Sequence, residues 1–449
     1  MFETVLVANR GEIACRVLKT CHELGIKGVA VYSEADADAL HVRSADESVL
    51  LGPAAPAESY LAAQKVIEAA RLTNADAIHP GYGFLSENAQ FARAVEDAGI
   101  TWIGPAPESI ETMGDKIAAR NLMQDAGVPV APGTREAITD PDVALEAAAQ
   151  IGYPVIVKAS AGGGGIGMSV VHGPDEVVAA LETARTRAER FFGSGAVFIE
   201  KYVASARHIE VQVLGLGDGR AVALGERDCS VQRRHQKVLE ESPSSAIDDD
   251  LRAKILEAGR KAAEAVRYRG AGTVEMLLDR SSGEFYFLEM NTRLQVEHPV
   301  TELVTGLDLV AEQFRIAAGE ELSFDVRQPP APNGHAIEFR VYAEDPQRFL
   351  PGPGKISEWR EPTGEGIRID AGYRKGDVVT PYYDPLMAKL CAWGQDRDTA
   401  IKRLREAAAD FAISGPKNNL PLAAELLSDQ GFVTGDFDTA IIDRMRAKK

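Results

Sequence analysis

The sequence GEFYFLEMNTRLQVEHPV, at residues 283–300, indicates the architecture of this chain more directly than any other stretch. It begins as an aromatic-rich strand, in which the alternation of Phe285, Phe287, Glu289 and Asn291 predicts that these side chains share one face. An acid and an amide at the end of an apolar face are costly to bury without partners. A cation, an amide, an acid and an imidazole follow within a few positions, at Arg293, Gln295, Glu297 and His298. This order of residue types indicates metal-assisted chemistry on an anion.

A second alternating strand is predicted just before this one, at residues 271–279. If the hairpin centres near Ser282, Glu275 lies directly opposite Glu289, and two carboxylates at cross-strand distance repel each other. Either one of them has a raised pKa or a cation lies between them. We interpret Glu275, Glu289 and Asn291 as ligands of a hard divalent ion such as magnesium. The alternative is a structural network in which one acid is neutral or paired with an arginine.

A glycine-rich loop follows a short β-branched strand. The strand, at residues 153–158, ends in Lys158, and the loop reads ASAGGGGIGM at residues 159–168. Glycines allow backbone amides to approach phosphate oxygens closely, and the lysine can meet a nucleotide phosphate. The pattern is not a Walker motif, which places Gly-Lys-Ser/Thr after the loop. Residues 8–13 also lack the Gly-x-Gly-x-x-Gly spacing of a dinucleotide site.

Length and composition place the chain among soluble globular proteins. Its 449 residues are enough for several subdomains, and 45% are hydrophobic and 26% charged. A net charge of −18 argues against nucleic-acid and membrane partners, which need a basic face. Four cysteines show no zinc or disulfide spacing, which indicates a reducing compartment: Cys15, Cys21, Cys229 and Cys391. With no signal or spanning segment we expect a cytoplasmic protein, although a processed organellar form would have the same sequence features.

Strand and helix patterns alternate through the first 104 residues. A strand at residues 4–8, a helix at 12–24 and a strand at 27–32 begin this series and predict an open α/β domain. The proline-rich segment 324–334 is typical of a linker. We predict three domains and a lid: residues 1–114, 115–330 and 331–449, with the lid at about 130–203.

The densest basic cluster of this acidic chain is QRRHQK, at residues 232–237. A charge run of this kind is often a solvated edge strand. The alternative is an anion site, in which Lys237, Arg293 and Gln295 surround the anion. Arginine suits a planar carboxylate-like anion because it donates two parallel hydrogen bonds, whereas lysine supplies a point charge.

Five segments together resemble biotin carboxylase, an ATP-grasp enzyme. They lie at residues 8–14, 79–88, 113–116, 226–237 and 289–299. The resemblance extends from Met1 to about Asn419 and is greatest to the stand-alone subunit of acetyl-CoA and other acyl-CoA carboxylases. It implies an α/β and α+β multidomain chain, with a Rossmann-like N-terminal domain, a central ATP-grasp domain with a mobile lid, and a mixed C-terminal domain.

The resemblance also implies a catalytic and substrate-binding set: Lys237, Arg293, Gln295, Val296 and Glu297 for bicarbonate, and Tyr82 and Arg340 for biotin. Glu297 is the expected base that removes the proton of bicarbonate. Arg340 is expected to stabilise the biotin enolate as an oxyanion site does. Two structural alternatives remain open, a surface Glu297 paired with His298, and a strand Arg340 paired with Glu338 or Glu344.

The implied reaction has two stages. Bicarbonate attacks the γ-phosphorus of ATP in line to give carboxyphosphate, mainly through positioning and charge neutralisation. Carboxyphosphate then releases carbon dioxide, and the phosphate left behind removes the proton of the ureido nitrogen of biotin.

The nucleotide-binding set follows from the same resemblance: Lys116, Lys158, Gly163, Gly164, Gly165, Glu200, Lys201, Val203, His208, Gln232, His235 and Leu277. Backbone groups of Lys201 and Val203 are expected to read the adenine edge. Ordinary core packing is an equal interpretation of Val203 and Leu277.

The expected cofactors are ATP and Mg²⁺, or Mn²⁺ in its place. The chain contains no Met-Lys-Met biotinylation site, so we expect a biotin carboxyl carrier protein to supply biotin and a carboxyltransferase subunit to act downstream. A homodimer and a place in fatty acid biosynthesis follow from the family alone.

Several alternatives to an acyl-CoA pathway remain. The chain could serve a pyruvate or urea carboxylase, or could be another ATP-grasp ligase that uses carboxyphosphate or an acyl phosphate. A noncatalytic nucleotide-binding regulatory subunit is disfavoured, because Lys237, Glu275, Glu289, Arg293 and Glu297 are all present.

The glycine loop carries Ile166 where many family members have arginine or lysine, so one phosphate contact is missing. We expect Ile166→Arg to lower the KM for ATP, because the added guanidinium can contact a phosphate. Steady-state kinetics at varied ATP would measure this, and an unchanged KM would show that the isoleucine carries no cost.

Overall fold

The computed structural model describes residues 1–160, 168–234 and 236–447. The N-terminal part is a parallel sheet with helices on both faces. Its elements are β1 Thr4–Val7, α1 Gly11–Glu23, β2 Lys27–Ser33, α2 Leu40–Ser44, β3 Glu47–Gly52, α3 Ala63–Leu72, β4 Ala77–His79, α4 Ala89–Asp97, β5 Thr101–Trp102 and α5 Pro107–Gly114. Short 3-10 turns lie at Glu34–Asp36 and Pro56–Glu58.

The strand order of this sheet is β3-β2-β1-β4-β5, and all its pairs are parallel. The predicted strand–helix–strand series is confirmed, with bounds that differ by one residue. The chain direction across the sheet reverses between β1 and β4, and ligands of such sheets bind at the carboxyl ends of the strands beside this point. Asn9 joins the two loops there, since its Nδ2 donates to the carbonyl oxygens of Pro80 and Tyr82 at 2.7 and 2.8 Å.

A helix and a small α/β unit follow. Their elements are α6 Lys116–Asp125, α7 Pro141–Ile151, β6 Val155–Ala159, β7 Ser169–Val171, α8 Pro174–Phe192 and β8 Val197–Lys201. Asp115 caps α6 by accepting hydrogen bonds from the backbone of Ile117 and Ala118, which places Lys116 in the first turn. The three strands pair in the order β7-β6-β8 over a separate apolar core.

The rest of the chain is built on one antiparallel sheet. Its first elements are β9 Ala206–Leu216, β10 Ala221–Arg233, β11 Gln236–Ser242, α9 Asp249–Ala265, β12 Arg269–Asp279, β13 Phe285–Asn291, α10 His298–Thr305 and α11 Leu309–Ala318. The elements after the linker are β14 His335–Tyr342, β15 Gly354–Lys355, β16 Glu358–Arg360, β17 Ile367–Ala371, β18 Val378–Val379, β19 Leu386–Gly394, α12 Arg397–Asp410, β20 Ala412–Ser414, α13 Leu420–Leu426, α14 Gln430–Thr434 and α15 Ile441–Ala447.

The eight strands of this sheet lie in the order β13-β12-β9-β10-β11-β14-β19-β17. The sheet therefore crosses the predicted linker, because β14 pairs with β11 along four residues. One face of β14 and β19 packs Phe339, Val341 and Leu390 into the core beneath α12. No described helix is long and apolar enough to span a bilayer.

The β12–β13 hairpin has the predicted pairing of Glu275 with Glu289. The predicted common face of β13 is wrong, because the pairing shifts between Glu289 and Phe287 and leaves Leu288 as the extra residue of a β-bulge. Phe287 therefore packs with Met290 in the apolar core. The bulge turns Glu289 away from this core toward the large cavity described below.

Gly372 lies against the start of α1, where a methyl group would overlap the backbone of Gly11 and Glu12. We expect Gly372→Ala to lower the free energy of unfolding by about 1–3 kcal/mol, because backbone atoms cannot move aside as a flexible side chain does. Denaturant unfolding followed by circular dichroism measures the loss. Gly364→Ala is the control, since its new methyl would meet only Ile367 at ordinary contact distance. Equal losses in both variants would contradict this prediction.

Candidate functional site

A cavity of about 830 Å³ lies among the three parts of the chain. It is bordered by the loops after β1 and β4, the start of α6, strands β6 and β8, and one face of β9–β14. Most of the predicted site residues line it: Tyr82, Lys116, Lys158, Glu200, Lys201, Val203, His208, Gln232, Lys237, Glu275, Leu277, Glu289, Asn291, Arg293, Gln295, Val296 and Arg340. Glu297 is fully buried behind this lining. The predicted phosphate-loop residues Gly163, Gly164, Gly165 and Ile166, and also His235, lie outside the described residues.

The ammonium group of Lys237 is the centre of the site. Its Nζ lies 2.5 Å from Glu210, 2.7 Å from Glu275 and 2.7 Å from Glu297. Burial opposes the charge on Lys237, but the three carboxylates outweigh it and raise its pKa well above the usual value. The lysine is therefore a fixed positive charge at the inner wall of the cavity.

The predicted metal ligands face each other where β12 meets β13. Burial and the charge of Glu275 raise the pKa of Glu289. Burial alone would raise the pKa of Glu275 too, but Lys237 and His208 outweigh it and hold that pKa well below its usual value. One acid of the pair thus has a raised pKa, which is one of the two outcomes that the sequence left open.

The same residues fit a magnesium ion. Glu275 and Glu289 are directly paired, and Asn291 Nδ2 donates to Glu275 Oε1 at 2.9 Å, so two carboxylates and an amide converge. Carboxylate oxygens are hard donors that Mg²⁺ prefers. The amide oxygen of Asn291 accepts from Arg293 Nη2 at 3.2 Å and would have to turn to the ion to become its third ligand. A divalent cation between the carboxylates would remove the repulsion that raises the pKa of Glu289.

Glu297 and Arg340 form the deeper part of the site. Arg340 Nη2 donates to Glu297 Oε2 at 2.9 Å, and its Nε lies 2.6 Å from Glu240. The two structural alternatives are therefore wrong. Glu297 is buried and paired with Lys237 and Arg340, whereas the Nδ1 of His298 lies 2.8 Å from the carbonyl oxygen of Gln295. Arg340 is paired with neither of the two glutamates that the sequence suggested.

Arg293 is oriented by three different parts of the site. Its Nε donates to Glu87 at 2.8 Å, Nη1 donates to Gln295 at 2.9 Å, and Nη2 donates to Asn291 at 3.2 Å. Glu87 belongs to the N-terminal part, so this guanidinium joins that part to the end of β13. The planar group lies beside Gln295 and Val296 in the cavity wall, where an anion would meet several donors.

The basic cluster at residues 232–237 is not at a sheet edge. Strands β10 and β11 are interior strands, and Arg233 is buried and paired with Glu344 at 2.7 Å. The solvated edge strand is therefore wrong. Gln232 Nε2 lies 3.1 Å from Nδ1 of His208, and Nε2 of His208 lies 3.1 Å from Glu275. Burial lowers the pKa of His208, but Glu275 raises it, and the net shift is upward.

Two lysines approach the opposite end of the cavity. Lys158, on β6, is paired with Glu200 on β8, and Lys116 lies 4.0 Å from Glu289. The backbone N–H of Lys201 donates to the carbonyl oxygen of Pro132 and is not free to read an adenine edge. Val203 N–H has no hydrogen-bond partner among the described residues, so it stays a candidate for that contact.

Four residues of the site were missed from the sequence: Glu87, Glu210, Arg227 and Glu240. Arg227 Nε donates to Glu210 at 2.6 Å, and both side chains are fully buried. A signal existed for Glu210, because His208, Glu210 and Gln212 alternate with the apolar residues Ile209, Val211 and Val213. The partner of Glu240 is Arg340, which lies 100 positions later in the sequence and leaves no local pattern.

Comparison with known proteins identifies the family. The family model described as biotin carboxylase, N-terminal domain, matches residues 1–110, and the biotin carboxylase C-terminal domain matches residues 338–444. Between them, the model described as carbamoyl-phosphate synthase L chain, ATP binding domain, matches residues 115–324. The chain is 52% identical over 439 residues to biotin carboxylase 2 of Bacillus subtilis, with 98% of both chains covered.

The chain belongs to the biotin carboxylase family. Solved structures of biotin carboxylases agree with this assignment along the whole chain. The biotin carboxylase–β-γ-ATP complex from Campylobacter jejuni has a TM-score of 0.96 at 44% identity and covers 99% of both chains. The biotin carboxylase domain dimer of Hydrogenobacter thermophilus 2-oxoglutarate carboxylase, solved with MgADP, ADP and bicarbonate, has a TM-score of 0.94 at 46% identity and covers 99% of this chain and 98% of that one. Biotin carboxylases are ATP-dependent ligases, and the chain is therefore an enzyme.

Removal of the Lys237 ammonium should be costly for folding. We expect Lys237→Met to lower the free energy of unfolding by about 3–5 kcal/mol, because it leaves three buried carboxylates without their shared cation. Urea unfolding at neutral pH measures this. Lys417→Met is the control, since Lys417 is exposed and its ion pair with Asp345 contributes little. Equal stability of the two variants would show that the cluster does not depend on the ammonium.

Proposed function

We propose that this cavity is where the chain carboxylates biotin with bicarbonate and ATP, the first half-reaction of acetyl-CoA and other acyl-CoA carboxylases. The observation that carries the proposal is the buried Glu297 held between Lys237 and Arg340, both of which line the cavity. A base, an anion-binding cation and an oxyanion-stabilising cation are thus in direct contact.

ATP binds at the end of the cavity that Lys116 and Lys158 border. These two ammonium groups, with the glycine loop, hold the phosphates, and Glu200, Lys201, Val203 and Leu277 border the base. Glu275, Glu289 and Asn291 hold Mg²⁺, with Mn²⁺ as a substitute, and the ion neutralises phosphate charge when it is bound. His208 and Gln232, which contact each other beside Glu275, keep that carboxylate oriented.

Bicarbonate binds beside Lys237, Arg293, Gln295 and Val296. Glu297 accepts its proton, and the oxygen then attacks the γ-phosphorus. Burial alone would raise the pKa of Glu297, but Lys237 and Arg340 outweigh it and hold that pKa well below its usual value, so the residue is ionised. An anion that draws these two cations toward itself raises the basicity of Glu297 at the moment when a base is needed.

Biotin binds on the Tyr82 side of the cavity. Carboxyphosphate breaks into carbon dioxide and phosphate, and the phosphate takes the proton of the ureido nitrogen. Arg340 then stabilises the negative charge on the ureido oxygen while the nitrogen attacks carbon dioxide. The Tyr82 hydroxyl is buried and has no hydrogen-bond partner among the described residues, which leaves it available for a ligand.

The partners follow from the half-reaction. A biotin carboxyl carrier protein supplies biotin, a carboxyltransferase uses the product, and the chain acts as a cytoplasmic homodimer in fatty acid biosynthesis. The domain division at residues 1–114, 115–330 and 331–449 is part of this proposal. The H. thermophilus relative is named as part of a 2-oxoglutarate carboxylase, so a keto-acid acceptor is the second candidate.

The first experiment is ADP release by the purified chain with magnesium, bicarbonate and ATP, with and without free biotin. We expect biotin to stimulate ADP release, and Glu297→Ala to reduce the stimulated rate by at least about 100-fold, because a general base contributes a factor of this size. Glu284→Ala, an exposed glutamate of the β12–β13 turn, is the matched control.

The alternatives predict other outcomes. Stimulation that persists in Glu297→Ala would remove the glutamate from the mechanism. ATP binding without any effect of biotin would favour a different ATP-grasp ligase or a regulatory subunit.

A further inference from the structure

Arg340 is held from two sides by carboxylates. Its Nη2 donates to Glu297 at 2.9 Å, and its Nε lies 2.6 Å from Oε1 of Glu240 on the neighbouring strand β11, in an ion pair without hydrogen-bond alignment. Among the described residues, Nη1 has only a long contact of 3.5 Å with Tyr342 Oη. Arg340 lines the cavity, whereas Glu240 is fully buried and does not. The ion-pair partner through which Glu240 can act on a ligand is Arg340.

A second buried acid lies directly opposite Glu240. The register of β11 with β14 pairs Glu240 with Glu338, so the two side chains point to the same face at neighbouring distance. Among the described residues, Glu338 has no cation within ion-pair distance, and its Oε2 accepts a hydrogen bond from the Cys391 thiol at 3.5 Å. Two adjacent buried carboxylates repel each other, so it is costly to keep both ionised.

We propose that Glu240 is a positioning residue for Arg340, and that Glu338 stays neutral opposite it so that Glu240 keeps its charge for the guanidinium. The inference rests on the proposed function, because Arg340 is the group assigned there to the charge that develops on biotin. Glu240 itself does not line the cavity, and no local sequence pattern marks it.

The pKa shifts of Glu338 and Glu240 agree with the charged groups around each acid. Burial raises the pKa of Glu338 well above its usual value, and Glu240 raises it further. Burial raises the pKa of Glu240 to about 7, with Arg340 acting against the rise. The ionisable groups packed around Glu240 are Lys237 on β11, Glu210 on β9, Cys229 on β10, Glu338, Arg340 and Tyr342 on β14, and Glu297 before α10. Lys389 on β19 acts on Glu338.

The arrangement matters during the second stage of the reaction. Glu297 becomes neutral when it accepts the proton of bicarbonate, and Arg340 then loses one of its two anionic partners. Glu240, which no substrate reaches, is the carboxylate that continues to hold Nε. Glu240 thereby keeps the guanidinium of Arg340 in place. The other N–H donors of Arg340 remain available to the cavity while negative charge develops on the ureido oxygen.

The test compares Glu240→Gln with the unmodified chain in two assays, biotin-stimulated ADP release and the bicarbonate-dependent ADP release seen without biotin. At pH 8 we expect the stimulated rate to fall about tenfold, because a neutral amide binds the guanidinium more weakly than a carboxylate does. The basal rate should fall less, by no more than about threefold, because Glu297 still pairs with Nη2 of Arg340 in the bicarbonate step. The KM for ATP should be unchanged. A purely structural role would lower both rates together.

Two matched variants separate positioning from folding. Glu241→Gln removes the next glutamate of β11, which is equally buried but points to the other face and pairs with His335 and Arg397. We expect it to lower the Tm and to leave the ratio of stimulated to basal rates unchanged. Glu338→Gln replaces a neutral carboxyl by a neutral amide, and we expect it to change that ratio by less than about threefold, because both groups are neutral and of similar size.

The pH profile gives an independent readout. As pH falls through about 7, Glu240 gains a proton and releases its hold on Arg340, so the stimulated-to-basal ratio of the unmodified chain should fall. In Glu240→Gln the ratio should be low and flat over the same range.

A Glu240→Gln variant with the full ratio at pH 8, or with both rates lowered in proportion, would overturn the inference alone. An unmodified chain that biotin does not stimulate would overturn the proposed function and this inference together.

Discussion

The contact of one ammonium group with three carboxylates is the constraint on which the site depends. Glu210 comes from β9, Glu275 from β12 and Glu297 from the turn before α10, and all three contact Lys237 on β11. Buried carboxylates gathered around one point repel each other strongly unless a cation neutralises them. The register of strands that are far apart in the chain is therefore linked to the position of one side chain. Arg227, on the adjacent strand β10, supplies a second cation to Glu210.

The two faces of the large sheet differ in polarity. On one face of β14 and β19, aromatic and aliphatic side chains pack beneath α12 in a continuous apolar core. On the other face, Arg340 and Lys389 lie among buried acids, so the polar groups are fixed by one another and by the packing behind them. Such a network is costly to bury. Its charges are already in place, so they need not reorganise when the substrate develops charge.

Local sequence patterns predicted much of the structure. The hairpin register of Glu275 with Glu289 and the N-terminal strand–helix series are both present, because turns and periodicity act over a few residues. The common face of β13 was wrong because a bulge at Leu288 depends on the partner strand. The interior position of the cluster at residues 232–237 was missed because β14, about 100 residues later, covers what would otherwise be an edge.

The sequence by itself determined the acids, amides and cations that residues 275–297 bring to the site, since these lie on two adjacent strands and the turn after them. It also determined the family, through motifs whose residues are neighbours in the chain. Only the tertiary structure decided the partners of these groups. Glu240 meets Arg340, and Arg293 meets Glu87, across 100 and 206 positions of sequence. Side-chain periodicity carries no information over such separations, because strand order and register are set by the packing of the whole sheet.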